Sequence, residues 1–254
     1  MRAEPIENRV AVIILAAGKG SRMKSQRAKV LHSVAGRPMI LYVIDAAVRI
    51  AGSNIVVVIG IQAEKVKALV SAHADVEFAV QERQLGTGHA ALCALPAIED
   101  HVEHVVVLCG DVPLIKSKTL DRLVRSHISR DPAVTVLGAR LDDPSGYGRI
   151  KQKADCSVER IVEQADANEE EKKINTVNTG IYCINRRFLK NALGRIGTDN
   201  AQNEMYLTDI VGIAAKAGKK IELMLCGDTS EMWGINTRDD LEKVESIILE
   251  NEKP

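Results

Sequence analysis

Short β-branched runs alternate with helical patterns through the first 140 residues: "VAVIIL" (10–15), "IVVVIG" (55–60), "VEFAV" (76–80), "HVVVLC" (104–109) and "AVTVLGA" (133–139). Strands that read as continuous apolar runs are buried on both faces, and the intervening helices supply the cover. The fold expected is α/β and Rossmann-like, a mostly parallel mixed sheet flanked by helices. The clearest of those helices is "PMILYVIDAAVRIAG", with Pro38 at its start and Gly52 at its stop. Ligands of such sheets bind outside the carboxyl ends of the strands, so the residues that follow each run are the ones to weigh.

After about residue 140 the rhythm changes to shorter strands and longer loops, "YGRIKQ", "CSVERIVEQ" and "VNTGIYCIN". These predict mixed or antiparallel strands added to the same sheet as a β-rich lobe, with "NEEEKK" as a solvated turn. Helical patterns return at 203–218 and in the last stretch, where Thr237 followed by Asp240 reads as an N-cap. The apolar stripe of that last helix packs either on its own domain or on something beyond it. The expected organisation is a single domain over 1–254, with two halves (about 1–140 and about 141–236) and a C-terminal helix (237–254).

Bulk properties narrow the function by exclusion. With 46% hydrophobic residues the chain can bury a full core, and 34 Lys+Arg against 34 Asp+Glu leave no net field to recruit nucleic acid or an anionic membrane. The opening "MRAEPIEN" lacks the apolar core of a signal peptide, and no apolar run is long enough to span a bilayer, which reads as a cytoplasmic protein. Five scattered cysteines without CxxC spacing are expected to be buried or half-buried free thiols.

Three clusters follow strand ends. "ILAAGKGSRM" (14–23) lacks the third glycine of a dinucleotide fingerprint and the GxxxxGK[ST] of a P-loop. What remains is a small-residue turn, Ala16-Ala17-Gly18, that lets a phosphorylated group approach the main chain, followed by the cations Arg22 and Lys29; a plain turn with solvated basic residues is the alternative. In "QERQLGTGHA" (81–90), the Gln81 and Gln84 carboxamides match the donor–acceptor edge of a nucleobase, and Gly86-Thr87-Gly88 forms a close turn at a helix start. In "VVVLCGDVP", Asp111 ends an apolar strand, where a carboxylate is costly unless it is paired or binds a hard cation such as Mg²⁺; the alternative is an Asp that caps the next turn. Cations, base-reading amides and a metal carboxylate along one sheet edge describe a nucleoside triphosphate site.

The motifs "LAAGKGSRM", "QLGTGHA", "GDVPL", "GYGRI", "IVE", "NTGIY", "YLTDI" and "GINTR", in this order, run from about Val10 to the last helix. On them the chain resembles the uridylyltransferase domain of the sugar-nucleotide pyrophosphorylases. The resemblance implies transfer of a uridylyl group from UTP to N-acetylglucosamine 1-phosphate, with Mg²⁺ as cofactor and no part for nucleic acid or membrane; it leaves the oligomeric state open. It implies that Leu15, Ala16, Ala17 and Gly18 line the uridine and phosphate site, that Gln81, Gly86 and Thr87 read uracil, and that Arg22 and Lys29 bind phosphates. Cys109 would contribute its backbone and Gly110 the "GD" step, while Asp111 and Asn236 would hold Mg²⁺. For the sugar it points to Gly148, Glu163 and Asn178, with Asn236 adjoining and Tyr206 and Thr208 as further wall residues. Ala28 stands where the family commonly has proline, which leaves that loop less stiff. Neither His32 nor His89 is assigned a chemical role.

Other members of the family with a different sugar 1-phosphate or nucleotide, and a sensor that binds without turnover, remain the alternatives. A Rossmann dehydrogenase is disfavoured by the missing glycine.

Overall fold

A computed structural model of the protein describes residues 6–18 and 20–251. The first five residues of the N-terminal stretch, Lys19 of the first loop and the final three residues therefore lie outside the described residues. The strands are β1 (Val10–Leu15), β2 (Ser33–Val34), β3 (Arg37–Pro38), β4 (Ile55–Ile59), β5 (Glu77–Val80), β6 (His104–Cys109), β7 (Val134–Arg140), β8 (Gly148–Gln152), β9 (Val158–Val162), β10 (Thr176–Asn185) and β11 (Ile221–Leu225). All five runs read from the first 140 residues form strands within a residue or so of their expected ends.

The main sheet has the order β11-β7-β10-β6-β1-β4-β5, with β8 and β9 branching from β10. Strand β1 pairs in parallel with both β6 and β4, and β4 with β5. Strand β10 runs against β6, β7 and β8, and β8 runs against β9, so the second half supplies the antiparallel strands.

Burial along β1 shows why the sheet is covered on both sides. Val10, Val12 and Ile14 pack in one core with Ile40, Ile44, Leu120 and Leu123. Ala11 and Ile13 pack in the opposite core with Ala90, Leu189 and Ile210. Alternate side chains thus face opposite helical layers, as a two-period strand requires. Pro38 and Gly52 cap helix Met39–Ala51, the glycine at φ +56°.

A third, smaller core holds Met23, Val34, Met39 and Ile235 against Val244 and Ile248 of the last helix, Arg238–Asn251. The apolar stripe of that helix is thus covered by its own domain. The core also clamps the segments around Arg22 and Asn236.

Three expectations need correction. "NEEEKK" contains a short helix, Glu169–Lys172, closed by a capping box from Asn168 to Glu171. Its Glu171 is buried and accepts a 2.7 Å hydrogen bond from Arg160, so it is a tertiary contact and not a solvated charge. The pattern at 203–218 becomes a helix only over Asp209–Lys216, and 203–208 is a loop that turns back toward Gly86. All five cysteines are free, but Cys156 is exposed, at a left-handed turn residue with φ +63°. No helix among the described residues is long and apolar enough to cross a membrane.

Candidate active site

The carboxyl ends of β1, β5 and β6 open onto one cavity of about 460 Å³. Its floor is formed where Leu15 ends β1 beside Cys109 at the end of β6. The Gly110 N–H donates to the Leu15 carbonyl at 2.9 Å, and the Ala16 N–H to Val58 at 2.9 Å, which extends the ladder one step past the strands. Ala16, Ala17 and Gly18 line the cavity with almost no side-chain bulk. Gly110 is buried behind this wall and is not among the lining residues; a Cβ there would stand 3.2 Å from the Leu15 carbonyl oxygen.

At one side the cavity holds four polar side chains in a chain of contacts. The Lys29 ammonium is ion-paired with the Asp111 carboxylate and donates to the Asn236 Oδ1 at 2.7 Å, while Arg22 donates to the same Oδ1 at 2.8 Å. Each is placed by its backbone. Lys29 begins a 3₁₀ turn beside Gly20, whose φ of +58° and missing Cβ leave room that a side chain would take from Lys29 Cβ, 2.7 Å away.

The loop before Lys29 is tied to a neighbour. The Ala28 N–H donates to Gln62 Oε1 at 3.1 Å, and Gln62 Nε2 donates to the Gln26 carbonyl at 2.9 Å. Alanine thus supplies a donor that proline lacks. Stiffness lost at φ is replaced by a tether to a side chain from the β4 end of the sheet.

Asn236 arrives from far along the chain. The Ile235 N–H donates to the Asp111 carbonyl at 2.9 Å, and Asp240 Oδ2 accepts from the N–H groups of Asn236 and Thr237 at 2.9 and 2.8 Å. Thr237 Oγ1 in turn accepts from the Asp240 N–H at 3.1 Å, so the expected cap is present and fixes Asn236 as well as the helix.

At the other side stand Gln81, Gly86 and Thr87. Gln81 is buried, and its Nε2 donates to the Gly86 carbonyl at 3.0 Å. Gly86 sits at φ +108°, and a Cβ there would lie 2.5 Å from the Met205 carbonyl oxygen. Only glycine fits between the turn and the 203–208 loop. Thr87 Oγ1 faces that loop too, accepting from the Leu207 N–H at 3.0 Å. Gln84 lines the cavity and spends its amide on the Gln81 carbonyl.

The expected sugar residues form a second group. Gly148 opens β8, and a Cβ on it would stand 3.3 Å from Glu163 Oε2 and 3.6 Å from Asn178 Cβ, so the three meet. Burial pushes the Glu163 carboxyl above its usual range, partly opposed by the Thr208 hydroxyl, which donates to Oε1 at 2.9 Å. Tyr206 is buried with its hydroxyl lacking a partner of good geometry; burial and the nearby Asp166 and Glu163 carboxylates push the phenol up to about 12.

Asn178 donates from Nδ2 to the Tyr182 hydroxyl at 2.7 Å and accepts from the Gly180 N–H at 3.2 Å, leaving one amide N–H for a ligand. Cys109 stands between the two groups: it lines the cavity, and its Sγ points to the Gly180 carbonyl at 3.9 Å. Burial, together with the Asp111 and Glu163 carboxylates, pushes its thiol up to about 12, so it is no nucleophile at neutral pH.

Sequence reasoning missed Tyr182 and Gln62. Tyr182 closes the "NTGIY" motif without a role of its own there, Gln62 lies in none of the motifs, and each is linked to the site through folded contacts.

A hard divalent cation fits the Asp111–Asn236 pair. Both donors are oxygens, and the Lys29 ammonium already bridges them. No group of three or more acidic, His or Cys side chains among the described residues is placed to hold a metal ion by itself. That suits a Mg²⁺ ion which takes one or two protein oxygens and completes its shell with waters and phosphates.

A small-residue loop at the end of β1, a basic pair facing it and an acid at the end of β6 make up the kind of pocket that suits a nucleoside triphosphate. The chain belongs to the nucleotidyl transferase family, whose model it matches over residues 11–246. It is 46% identical over 241 residues to the bifunctional protein GlmU of Geotalea uraniireducens, covering 95% of this chain and 53% of that protein. It is 48% identical over 231 residues to GlmU of Trichlorobacter lovleyi (91% and 50%), and 43% identical over 235 residues to that of Desulfotalea psychrophila (92% and 69%). The chain thus spans about half the length of the first two of these curated relatives.

Proposed function

We propose that the protein transfers a uridylyl group from UTP to N-acetylglucosamine 1-phosphate and releases pyrophosphate. The observation that carries this reading is one cavity with Gln81 at one side and the Arg22–Lys29–Asp111–Asn236 network at the other. Beside it lies the Gly148–Glu163–Asn178 group, whose mixed donors and acceptors suit sugar hydroxyl and amide groups.

In this reaction a phosphate oxygen of the sugar phosphate forms a bond to the α-phosphorus of UTP, and the bond from that phosphorus to the β-phosphate bridge breaks. A phosphate monoester is a competent nucleophile at neutral pH, so no side chain has to remove a proton. The chain's share is to hold two anions in line and to stabilise charge on the departing pyrophosphate. Arg22 and Lys29 face the cavity and supply the opposing positive charge. Asp111 and Asn236 would hold Mg²⁺, which when bound neutralises and orients phosphate oxygens. Glu163 and Asn178 position the acceptor sugar.

The test is pyrophosphate release by the purified protein with UTP and Mg²⁺, offering N-acetylglucosamine 1-phosphate, glucosamine 1-phosphate and glucose 1-phosphate in turn. Release with the first alone is expected. Release only with another sugar overturns the acceptor, and silence from folded protein that still binds UTP overturns turnover itself.

A further inference from the structure

One histidine beside the cavity has no part in the reaction above. His89 lies in the first turn of helix Thr87–Ala94, half-buried, with its Nδ1 3.0 Å from Gln81 Nε2. The same Gln81 nitrogen is 3.0 Å from the Gly86 carbonyl oxygen. A carbonyl can only accept, so this end of the Gln81 amide must be the NH₂, and its second N–H is directed to His89. His89 Nδ1 therefore has to be the bare, accepting nitrogen, and the ring proton belongs on Nε2. Nε2 has a soft acceptor in reach, the Cys93 Sγ one helical turn on at 3.8 Å.

With its NH₂ held twice, Gln81 has only its carbonyl oxygen left to offer. That oxygen is absent from the buried atoms lacking a partner among the described residues, and Gln81 lines the cavity. A carbonyl presented to a base accepts from a ring N–H. Uracil carries such an imide N–H at N3, as thymine does; cytosine presents a lone pair there and would meet the carbonyl with repulsion.

We propose that His89 is a positioning residue which, with the Gly86 carbonyl, fixes the Gln81 amide so that its oxygen faces the base, making the cavity select a pyrimidine imide over cytosine. This rests on the uridylyl-transfer reading for the identity of the nucleotide. His89 touches neither base nor phosphate in this arrangement. Its effect passes through Gln81 to the choice of base and leaves the phosphate network untouched.

The experiment compares His89→Phe, which removes the acceptor, with His89→Asn, whose Oδ1 falls near the place of Nδ1. Initial rates are measured with UTP and with CTP at saturating sugar phosphate. Wild type is expected to prefer UTP. His89→Phe should lower the UTP-to-CTP ratio of kcat/KM by about tenfold through KM for UTP, the size of one well-made hydrogen bond, with kcat little changed. His89→Asn should keep most of the ratio.

An unchanged ratio in His89→Phe, or an equal fall in both variants, overturns the proposal, because packing alone would then account for the histidine. Should His89→Phe fail to fold, the imidazole ¹⁵N spectrum of wild type, assigned with the Asn variant, still decides. An unprotonated Nδ1 at neutral pH supports the arrangement and a protonated one overturns it. Wild type that turns over no UTP would overturn the reaction reading instead, a failure separate from either of these.

Discussion

The Lys29 ammonium sits between two oxygens, paired with the Asp111 carboxylate and donating to Asn236 Oδ1 at 2.7 Å. That bridge takes two of the ammonium's three N–H donors and leaves at most one for a phosphate. On the proposed reading, a nucleotide entering with its cation would draw Lys29 from this pair toward the phosphates, and Asp111 and Asn236 would hold the metal in its place. Arg22, which shares Asn236 Oδ1, would be released by the same exchange.

Removing the ammonium should therefore free the oxygens. Lys29→Met is expected to bind Mn²⁺ in the absence of nucleotide about tenfold more tightly than wild type, as a single competing charge would dictate. Titration of free Mn²⁺ by electron paramagnetic resonance reads this directly. Equal affinity would show that Lys29 does not compete for the site.

Asp111→Asn keeps the shape and loses the charge. Its main-chain carbonyl still anchors Ile235, so the thermal midpoint should stay within a few degrees of wild type. Turnover is expected to fall by roughly two orders of magnitude, the scale seen when one electrostatic contact to developing charge is removed. A magnesium titration of the variant's rate, beside its melting curve, checks both; near-normal turnover with normal metal dependence would remove Asp111 from the metal site.

Tyr182 holds Asn178 from behind. Tyr182→Phe leaves the Asn178 amide without its buried acceptor and should cost about 1–3 kcal/mol of stability. The sharper readout is kinetic: KM for the sugar phosphate is expected to rise several-fold while KM for UTP stays put. Equal rises in both would mean that Tyr182 acts on the sheet as a whole.

At the opposite end of the sheet, His127 is fully buried, with Nδ1 2.9 Å from the Thr135 hydroxyl and its ring edge-on to His104 at 5.1 Å. Burial and the neighbouring His104 push it down to about 3, and burial lowers His104 as well. Unfolded histidine binds a proton near pH 6.5. Between pH 6.5 and 3 the unfolded chain therefore holds the extra proton, and stability falls with falling pH by up to about 1.4 kcal/mol per unit for this group. Urea midpoints across that range should fall less steeply in His127→Gln than in wild type. Parallel curves would mean that His127 is protonated in the fold.

Much of the frame was legible because continuous apolar runs have few alternatives. The strand ends that carry Leu15, Cys109 and Asp111 could be placed from the chain alone, and so could the Thr237–Asp240 cap. What escaped depends on geometry that local pattern does not encode. Asn178 and Tyr182 are four residues apart, about 13 Å in a regular strand. They touch because β10 shifts register between Asn178 and Ile181, with Gly180 at φ +77°. Glu171 read as solvent-facing because its neighbours are charged, yet it is buried and paired with Arg160 of β9. Gln62 and Ala28 lie on different elements, so the substitution at 28 read as a loss of stiffness when it also admits a hydrogen bond.

The backbone link from Ile235 to Asp111 has a bearing on how this protein comes into being. Asp111 is made mid-chain, at the tip of a strand that can already pair with β1, whereas Asn236 is delivered only when the last segment docks against it and the final helix closes over Met23. A nascent chain lacking that segment could form the parallel strands and the small-residue loop, but the Asp111–Asn236 pair proposed to hold the cation would be incomplete. On the proposed reading, competence for chemistry would thus arrive last and all at once, and a partly made or C-terminally nicked molecule would be silent rather than half-active.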